Sequence, residues 1–167
     1  MKAKVFIGTS GWSYKHWKLN FYPEGLKDRD KLHYYSDQFT TVEINTTFYN
    51  LPKETTVRNW EMQVDKQFIF SVKASQYITH RKRLKDCKES VELFLNRLQF
   101  LKKHLGPILF QLPPSFRYNP ERLEEFLDYL PKKKRYVMEF RHESWFCDEL
   151  YALLNRHDIG LCYTRRP

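Results

Sequence analysis

The sequence is poor in cysteine and glycine and has no long apolar run. Its three cysteines, Cys87, Cys147 and Cys162, are widely spaced and form no C-x-x-C pair. This argues against a disulfide framework or a zinc site and predicts a reducing, cytoplasmic environment. No stretch approaches the roughly 18 consecutive apolar residues that a membrane span needs, so we expect no membrane partner. Five glycines and eight prolines in 167 residues exclude collagen-like and low-complexity chains.

The residues that are abundant predict one folded domain with a basic surface. Hydrophobic residues make up 41% of the chain and aromatic residues 17%. That is enough for one core within residues 1–167, in a chain too short for two ordinary domains. Lys and Arg exceed Asp and Glu by 9, which favours anionic partners such as phosphate-bearing ligands or nucleic acid. The basic residues cluster in short runs, at 80–85 and 132–135, that are also typical of solvated loops, so charge alone does not identify a nucleic-acid-binding protein.

Six short apolar segments alternate with five amphipathic ones. The apolar segments are rich in Val, Ile, Phe or Tyr and predict strands at residues 4–9, 41–45, 68–73, 107–112, 136–140 and 160–163. Apolar residues spaced three and four apart predict helices over residues 30–39, 54–64, 88–104, 119–130 and 148–156. Gly106 and Pro107 are expected to end the third of these helices, and Asn119 and Pro120 to begin the fourth. Strict alternation predicts parallel strands joined by right-handed crossovers.

The spacing of these segments favours a TIM-type (β/α)8 barrel over an open doubly wound sheet. One unit takes about 31 residues, so eight units would need about 250, the usual size of such a barrel. The sequence lacks the G-x-G-x-x-G and G-x-x-x-x-G-K-[ST] motifs of the Rossmann and P-loop sheets. We therefore expect an incomplete α/β barrel of about five β/α units and a sixth strand.

Polar side chains occur where successive strand candidates end. They are Glu43, Asn45, Ser71, Lys73, Gln111, Glu139 and Arg141. Residues two apart in a strand point to one face, and the carboxyl-terminal rim of a barrel is where catalytic residues lie. These charges could instead pair with one another to join neighbouring strands, but buried ion networks are an inefficient way to stabilise a core. The pattern therefore favours a charged, anion-binding cup.

Six short segments, in order along the chain, carry a family resemblance. They are residues 7–14, 21–23, 41–49, 70–74, 109–116 and 139–145. In this combination the chain resembles the YecE-like family, also called domain of unknown function seventy-two, whose members are (β/α)8 barrels without a settled reaction. The resemblance implies that a rim pocket is lined by Ser10, Trp12, Tyr14, Glu43, Asn45, Lys73, Gln111, Glu139, Arg141, His142 and Trp145.

The resemblance also implies two further β/α units after the sixth strand, whereas the sequence closes at Pro167. We therefore expect a C-terminally truncated member in which strands one and six are open edges. Such edges predict self-association and a marginally stable product.

Three functions remain open at this point. The first is an enzyme for an anionic substrate, in which Lys73 and Arg141 neutralise charge and Glu43, Glu139 or His142 moves a proton. The remaining pocket residues would then bind substrate. No metal-binding motif is present, although Glu43, Glu139 and His142 could supply three ligands to a divalent metal.

The second function is that of a nucleic-acid-binding protein, because basic and aromatic residues interleave near residues 14–18 and 77–83. The third is an inactive gene fragment.

Overall fold

One six-stranded sheet organises residues 4–164, which are the residues that the computed structural model describes. The strands are β1 Thr9–Ser10, β2 Thr41–Ile44, β3 Ile69–Lys73, β4 Leu105–Gln111, β5 Tyr136–Glu139 and β6 Gly160–Leu161. All neighbouring pairs are parallel, and the strands lie side by side in chain order. The predicted α/β alternation with parallel strands is therefore confirmed, and the strand order contains no reversal.

Helices follow the first five strands. They are α1 Lys31–Gln38, α2 Thr46–Tyr49, α3 Glu54–Met62, α4 Lys88–Leu98, α5 Pro120–Asp128 and α6 Asp148–Arg156. The predicted start of α5 is confirmed, because Asn119 caps it by accepting a hydrogen bond from the Arg122 backbone N–H at 2.9 Å. The short α2 lies outside the predicted helices. Among residues 4–164, no helix combines the length and apolar character that crossing a membrane requires.

The helix predicted over residues 88–104 ends early. A 3-10 helix, Gln99–His104, follows α4, and within it Lys102 has a left-handed φ of 51°. His104 is buried, and its Nδ1 lies 2.9 Å from the carbonyl oxygen of Phe68. This contact with the start of β3 turns the chain into the sheet, so a tertiary interaction ends the helix sooner than the spacing of leucines predicted.

Gly106, predicted to lie between that helix and the next strand, and Pro107, predicted to begin the strand, both lie inside β4. The register shifts here, because Phe70 pairs with Leu105 whereas Val72 pairs with Ile108. This irregularity gives β4 one extra residue, which accommodates a proline that cannot donate to the ladder. A β-carbon at Gly106 would lie 2.8 Å from the Phe70 carbonyl oxygen, so this close approach of β3 and β4 requires glycine.

The first strand is shorter than predicted and begins at Thr9, where residues 4–9 were expected. Thr9 pairs with Val42, the second residue of β2. Residues 4–7 therefore lie before the level at which β2 begins and have no partner in that strand. They are exposed.

The core lies on one face of the sheet. Alternate residues of β2 and β3 are fully buried and belong to one cluster with the apolar sides of α1 and α3–α6. The other face of these two strands, which carries Glu43, Ser71 and Lys73, is only half-buried. The predicted polar residues of β2 and β3 lie on this face, near the carboxyl ends of the strands.

Candidate functional site

The parallel register brings the predicted polar residues to one edge of the sheet. Ser10 is level with Glu43, and Gln111 is level with Glu139. Lys73 occupies the last position of β3, on the same half-buried face as Glu43. We call this set the strand-end cluster; it comprises Ser10, Glu43, Asn45, Lys73, Gln111, Glu139 and Arg141.

One part of the strand-end cluster is a hydrogen-bonded group at the ends of β1 and β2. The Ser10 hydroxyl donates to Glu43 Oε1 at 3.0 Å, and Asn45 Nδ2 donates to the Ser10 oxygen. The Tyr14 hydroxyl donates to the Ser10 carbonyl. Asn45 Oδ1 is buried and accepts no hydrogen bond from residues 4–164. An unsatisfied buried acceptor is costly, so the contact of Asn45 with Ser10 is kept at the cost of an unpaired amide oxygen.

The second part is a network around Glu139, which is 2% exposed. Gln111 Nε2 donates to Glu139 Oε2 at 2.8 Å, and Arg141 Nε donates to Oε1 at 3.0 Å. Both carboxylate oxygens of Glu139 are therefore engaged. Because Arg141 uses Nε for this contact and its side chain is 42% exposed, the terminal guanidinium nitrogens can contact a ligand.

Lys73 is the second cation of the strand-end cluster. Its Nζ lies 4.9 Å from the centroid of the Phe48 ring, and among residues 4–164 it forms no ion pair. The short α2 positions this ring, because the Thr47 hydroxyl is within hydrogen-bond distance of the carbonyl oxygens of Ile44 and Lys73, at 2.9 and 2.7 Å. Lys73 therefore offers a positive charge without a carboxylate partner.

Two further titratable residues, neither of them among the predicted pocket residues, lie close enough to these charges for their pKa values to shift. Burial and then the positive charges of Arg141 and Lys73 lower the pKa of His80. Burial and then the carboxylates of Glu139 and Glu43 raise the pKa of the Cys162 thiol. The sequence linked His80 to nucleic-acid binding through the basic and aromatic segment 77–83, and Cys162 is a lone cysteine after the last strand.

Two predicted pocket residues have structural roles outside the strand-end cluster. Trp145 is fully buried, and its Nε1 donates to the Phe116 carbonyl at 2.6 Å. His142 caps the 3-10 helix Glu143–Trp145, because its Nδ1 accepts from the Ser144 backbone N–H at 3.1 Å. Both side chains therefore have structural contacts, and among residues 4–164 neither forms a hydrogen bond or ion pair with Glu43 or Lys73.

The remaining predicted residues line a hollow beside the strand-end cluster. This hollow has a volume of about 280 Å³, and its lining includes Ser10, Trp12, Tyr14, Asn45 and Tyr49. Trp12 is half-buried and packs edge-on against Trp60. The hollow combines apolar walls with the polar side chains of Ser10 and Asn45.

The donor set does not favour a metal centre. Within the part of the chain that the structure describes, no three His, Cys, Asp or Glu side chains form a group that could hold a metal ion. The proposed trio of Glu43, Glu139 and His142 is therefore not assembled. The three cysteines are free thiols.

Fold and site together define a class: a parallel α/β protein with two carboxylates and two cations at the carboxyl ends of its strands. Residues 6–167 match the family model described as "Protein of unknown function DUF72". The chain belongs to this family, which confirms the resemblance found in its sequence.

Curated relatives agree with this assignment. The chain is 34% identical over 164 residues to the UPF0759 protein YecE of Escherichia coli K12, covering 94% of this chain and 57% of that protein. It is 29% identical over 158 residues to the UPF0759 protein YunF of Bacillus subtilis 168, covering 88% of this chain and 54% of that protein. The chain thus spans little more than half the length of these relatives.

Solved structures of the family share the fold. A DUF72 family protein from Thermotoga maritima MSB8 superposes with a TM-score of 0.83 at 34% identity, covering 95% of this chain and 64% of that one. A DUF72 family protein from Enterococcus faecalis V583 superposes with a TM-score of 0.77 at 20% identity, covering 95% and 60%.

Proposed function

We propose that the strand-end cluster is the substrate site of an enzyme that acts on an anionic, phosphate-bearing ligand. The observation that carries this proposal is the pair of cations at one edge of the sheet. Lys73 has no carboxylate partner among residues 4–164, and Arg141 is held by Glu139 through Nε alone. An ammonium and a half-exposed guanidinium fork are the groups that phosphate oxygens bind most strongly.

The two carboxylates have different roles in this proposal. Glu139 is saturated by Gln111 and Arg141, so it positions the guanidinium. Glu43 accepts a hydrogen bond from Ser10 and is only half-buried, which leaves a carboxylate oxygen able to take a proton from a ligand. Glu43 is therefore the better candidate for a general base.

We also propose that the sheet is part of a TIM-type (β/α)8 barrel. Parallel strands in unbroken chain order are typical of that architecture, and the polar residues lie at the carboxyl ends of its strands, where barrel enzymes place their active sites. In this proposal, the part of the relatives that this chain does not span would supply the remaining units. Self-association along the outer strands β1 and β6 and a cytoplasmic location stay predictions.

Replacing Lys73 with methionine tests the proposed function. Methionine keeps an apolar stem against Phe48 but removes the charge, so we expect the affinity for inorganic phosphate to fall about tenfold, the loss of one charge-assisted hydrogen bond. Isothermal titration calorimetry at low salt measures this. The matched control is Lys132→Met, since Lys132 is exposed in the loop before β5, at the opposite edge of the sheet. Equal losses in both variants, or unchanged affinity in Lys73→Met, would contradict the assignment.

A second candidate function, binding of single-stranded nucleic acid, is favoured by a basic aromatic surface next to β3. Tyr77 is 44% exposed, with Lys82 Nζ 5.9 Å from its ring centroid, and Arg81 and Arg83 are exposed nearby. Aromatic rings of this kind stack on bases while the basic residues contact phosphates.

A salt series on a labelled oligouridine separates this function from the first. We expect Tyr77→Ala to weaken binding about tenfold through lost stacking, and the affinity to fall steeply with salt. Tyr151→Ala, on the exposed side of α6, is the matched control. Fluorescence anisotropy measures both variants, and binding that is indifferent to salt would exclude this mode.

A further inference from the structure

An unusual turn after β3 holds His80 in place. Residues Tyr77–Arg81 form a π-helix, an element that is rare and frequent at functional sites. The chain then passes through left-handed backbone at Arg83, Leu84 and Asp86, with φ values of 48°, 66° and 45°. Side-chain-bearing residues adopt this conformation only where surrounding structure enforces it. Here Ile78 and Leu84 enforce it, because both side chains are buried in the core.

The hydrogen bonds of this turn assign the tautomer of His80. The Thr79 hydroxyl lies 3.2 Å from the Ser75 carbonyl oxygen and 2.9 Å from His80 Nδ1. A carbonyl oxygen only accepts, so the single hydroxyl proton goes to Ser75 when both contacts form. The Thr79 oxygen then accepts from His80, which places the ring proton on Nδ1. Nε2 is left as the unprotonated nitrogen, able to act as an acceptor.

His80 shares a neighbour with Lys73. The imidazole packs edge-on against Phe48, with ring centroids 4.9 Å apart, and the same ring carries Lys73 Nζ. Lys73 on β3 and Arg141 after β5 are the nearby cations, and the Glu139 carboxylate opposes them in part. Partial burial and these two cations disfavour an imidazolium and lower the pKa of His80. The imidazole is therefore neutral at pH 7.

We propose that His80 is a further ligand-contacting residue of the strand-end cluster, and that its Nε2 accepts the proton of a hydroxyl group on the phosphate-bearing ligand. This inference rests on the function proposed above, and it makes His80, in preference to Glu43, the group that takes this proton. The ligand O–H bond breaks, the proton forms the Nε2–H bond of an imidazolium, and Lys73 and Arg141 neutralise the oxyanion that remains. The two cations stabilise the oxyanion, and the Glu139 carboxylate offsets part of their repulsion of the imidazolium.

Nitrogen-15 and proton NMR titration of the histidine rings tests the inference, with inorganic phosphate as the probe. Without phosphate, we expect ring shifts that report the Nδ1–H tautomer of His80, and a pKa that rises when Lys73→Met removes a cation. Phosphate should raise the pKa of His80, because the anion stabilises the imidazolium. The internal control is His33, which is exposed on α1 and whose Nδ1 lies 3.1 Å from the carbonyl oxygen of Gln63. Its titration should not respond to the Lys73 substitution.

The outcomes separate the two proposals. Calorimetric binding of phosphate with a response of the His80 ring supports both. Phosphate binding that leaves the His80 shifts and pKa unchanged overturns the role of His80 and leaves the proposed function standing. Absence of phosphate binding at low salt, in a chain whose circular dichroism shows it folded, overturns both. An Nε2–H signature in the parent chain would contradict the tautomer on which the role of His80 depends. A second variant, Thr79→Val, removes the hydroxyl that accepts from Nδ1; an unchanged Nδ1–H signature there would contradict the part given to Thr79.

Discussion

Replacing Trp145 with alanine is expected to lower the free energy of unfolding by about 3–5 kcal/mol, the range for deleting a large buried aromatic side chain. The indole stacks on Phe140 with ring centroids 4.6 Å apart and packs edge-on against Phe116 and Tyr118. Its Nε1 donates to the Phe116 carbonyl at 2.6 Å. Alanine would remove these contacts together and leave a cavity beside a carbonyl without its donor. Urea unfolding followed by circular dichroism measures the loss.

Two companion variants show whether the loss comes from packing. Trp145→Phe keeps an aromatic ring but loses the donor, so we expect a smaller destabilisation of about 1–2 kcal/mol. Trp12→Ala removes a tryptophan that is only half-buried, and its cost should also be well below that of Trp145→Ala. A Trp145→Ala protein as stable as the parent would contradict a core role and return this residue to the pocket predicted from its motif.

The order of the elements could be predicted from the sequence, whereas several of their ends could not. Hydrophobic periodicity reports which side of a segment is buried, and that was enough for the alternation of strands and helices. The end of α4 depends on the contact between His104 and Phe68, which are 36 residues apart in the chain. The start of β1 depends on where β2 begins. Both are pairings between distant segments, which local patterns do not encode.

The residues of the candidate site could likewise be predicted only in part from the sequence. Polar residues at strand ends could be found because period-two spacing and parallel strands bring them to one edge. A motif does not show whether its tryptophan points into the core or into a pocket. Trp145 points into the core. His80 was assigned only to the basic and aromatic segment 77–83, because its place beside Lys73 depends on a π-helix and on left-handed residues that no residue pattern in the chain predicted.

Replacing Glu139 with alanine is the second large effect, with an expected destabilisation of about 2–3 kcal/mol. The carboxylate is buried and accepts from both Gln111 and Arg141. Its removal leaves the Gln111 amide, which is only 6% exposed, without this partner. Arg141 is half-exposed and can be rehydrated, which keeps the cost below that of breaking a fully buried ion pair. Phosphate affinity should fall as well, because the guanidinium loses the contact that orients it.

A double-mutant cycle separates the unpaired amide from the lost packing. Adding Gln111→Leu to Glu139→Ala replaces the stranded polar group with an apolar one of similar size, so we expect the double variant to recover about 1 kcal/mol relative to Glu139→Ala. Gln111→Leu alone should be destabilising, since it removes one donor from a buried carboxylate. Strictly additive losses in urea unfolding would show that Gln111 and Glu139 do not act as a pair.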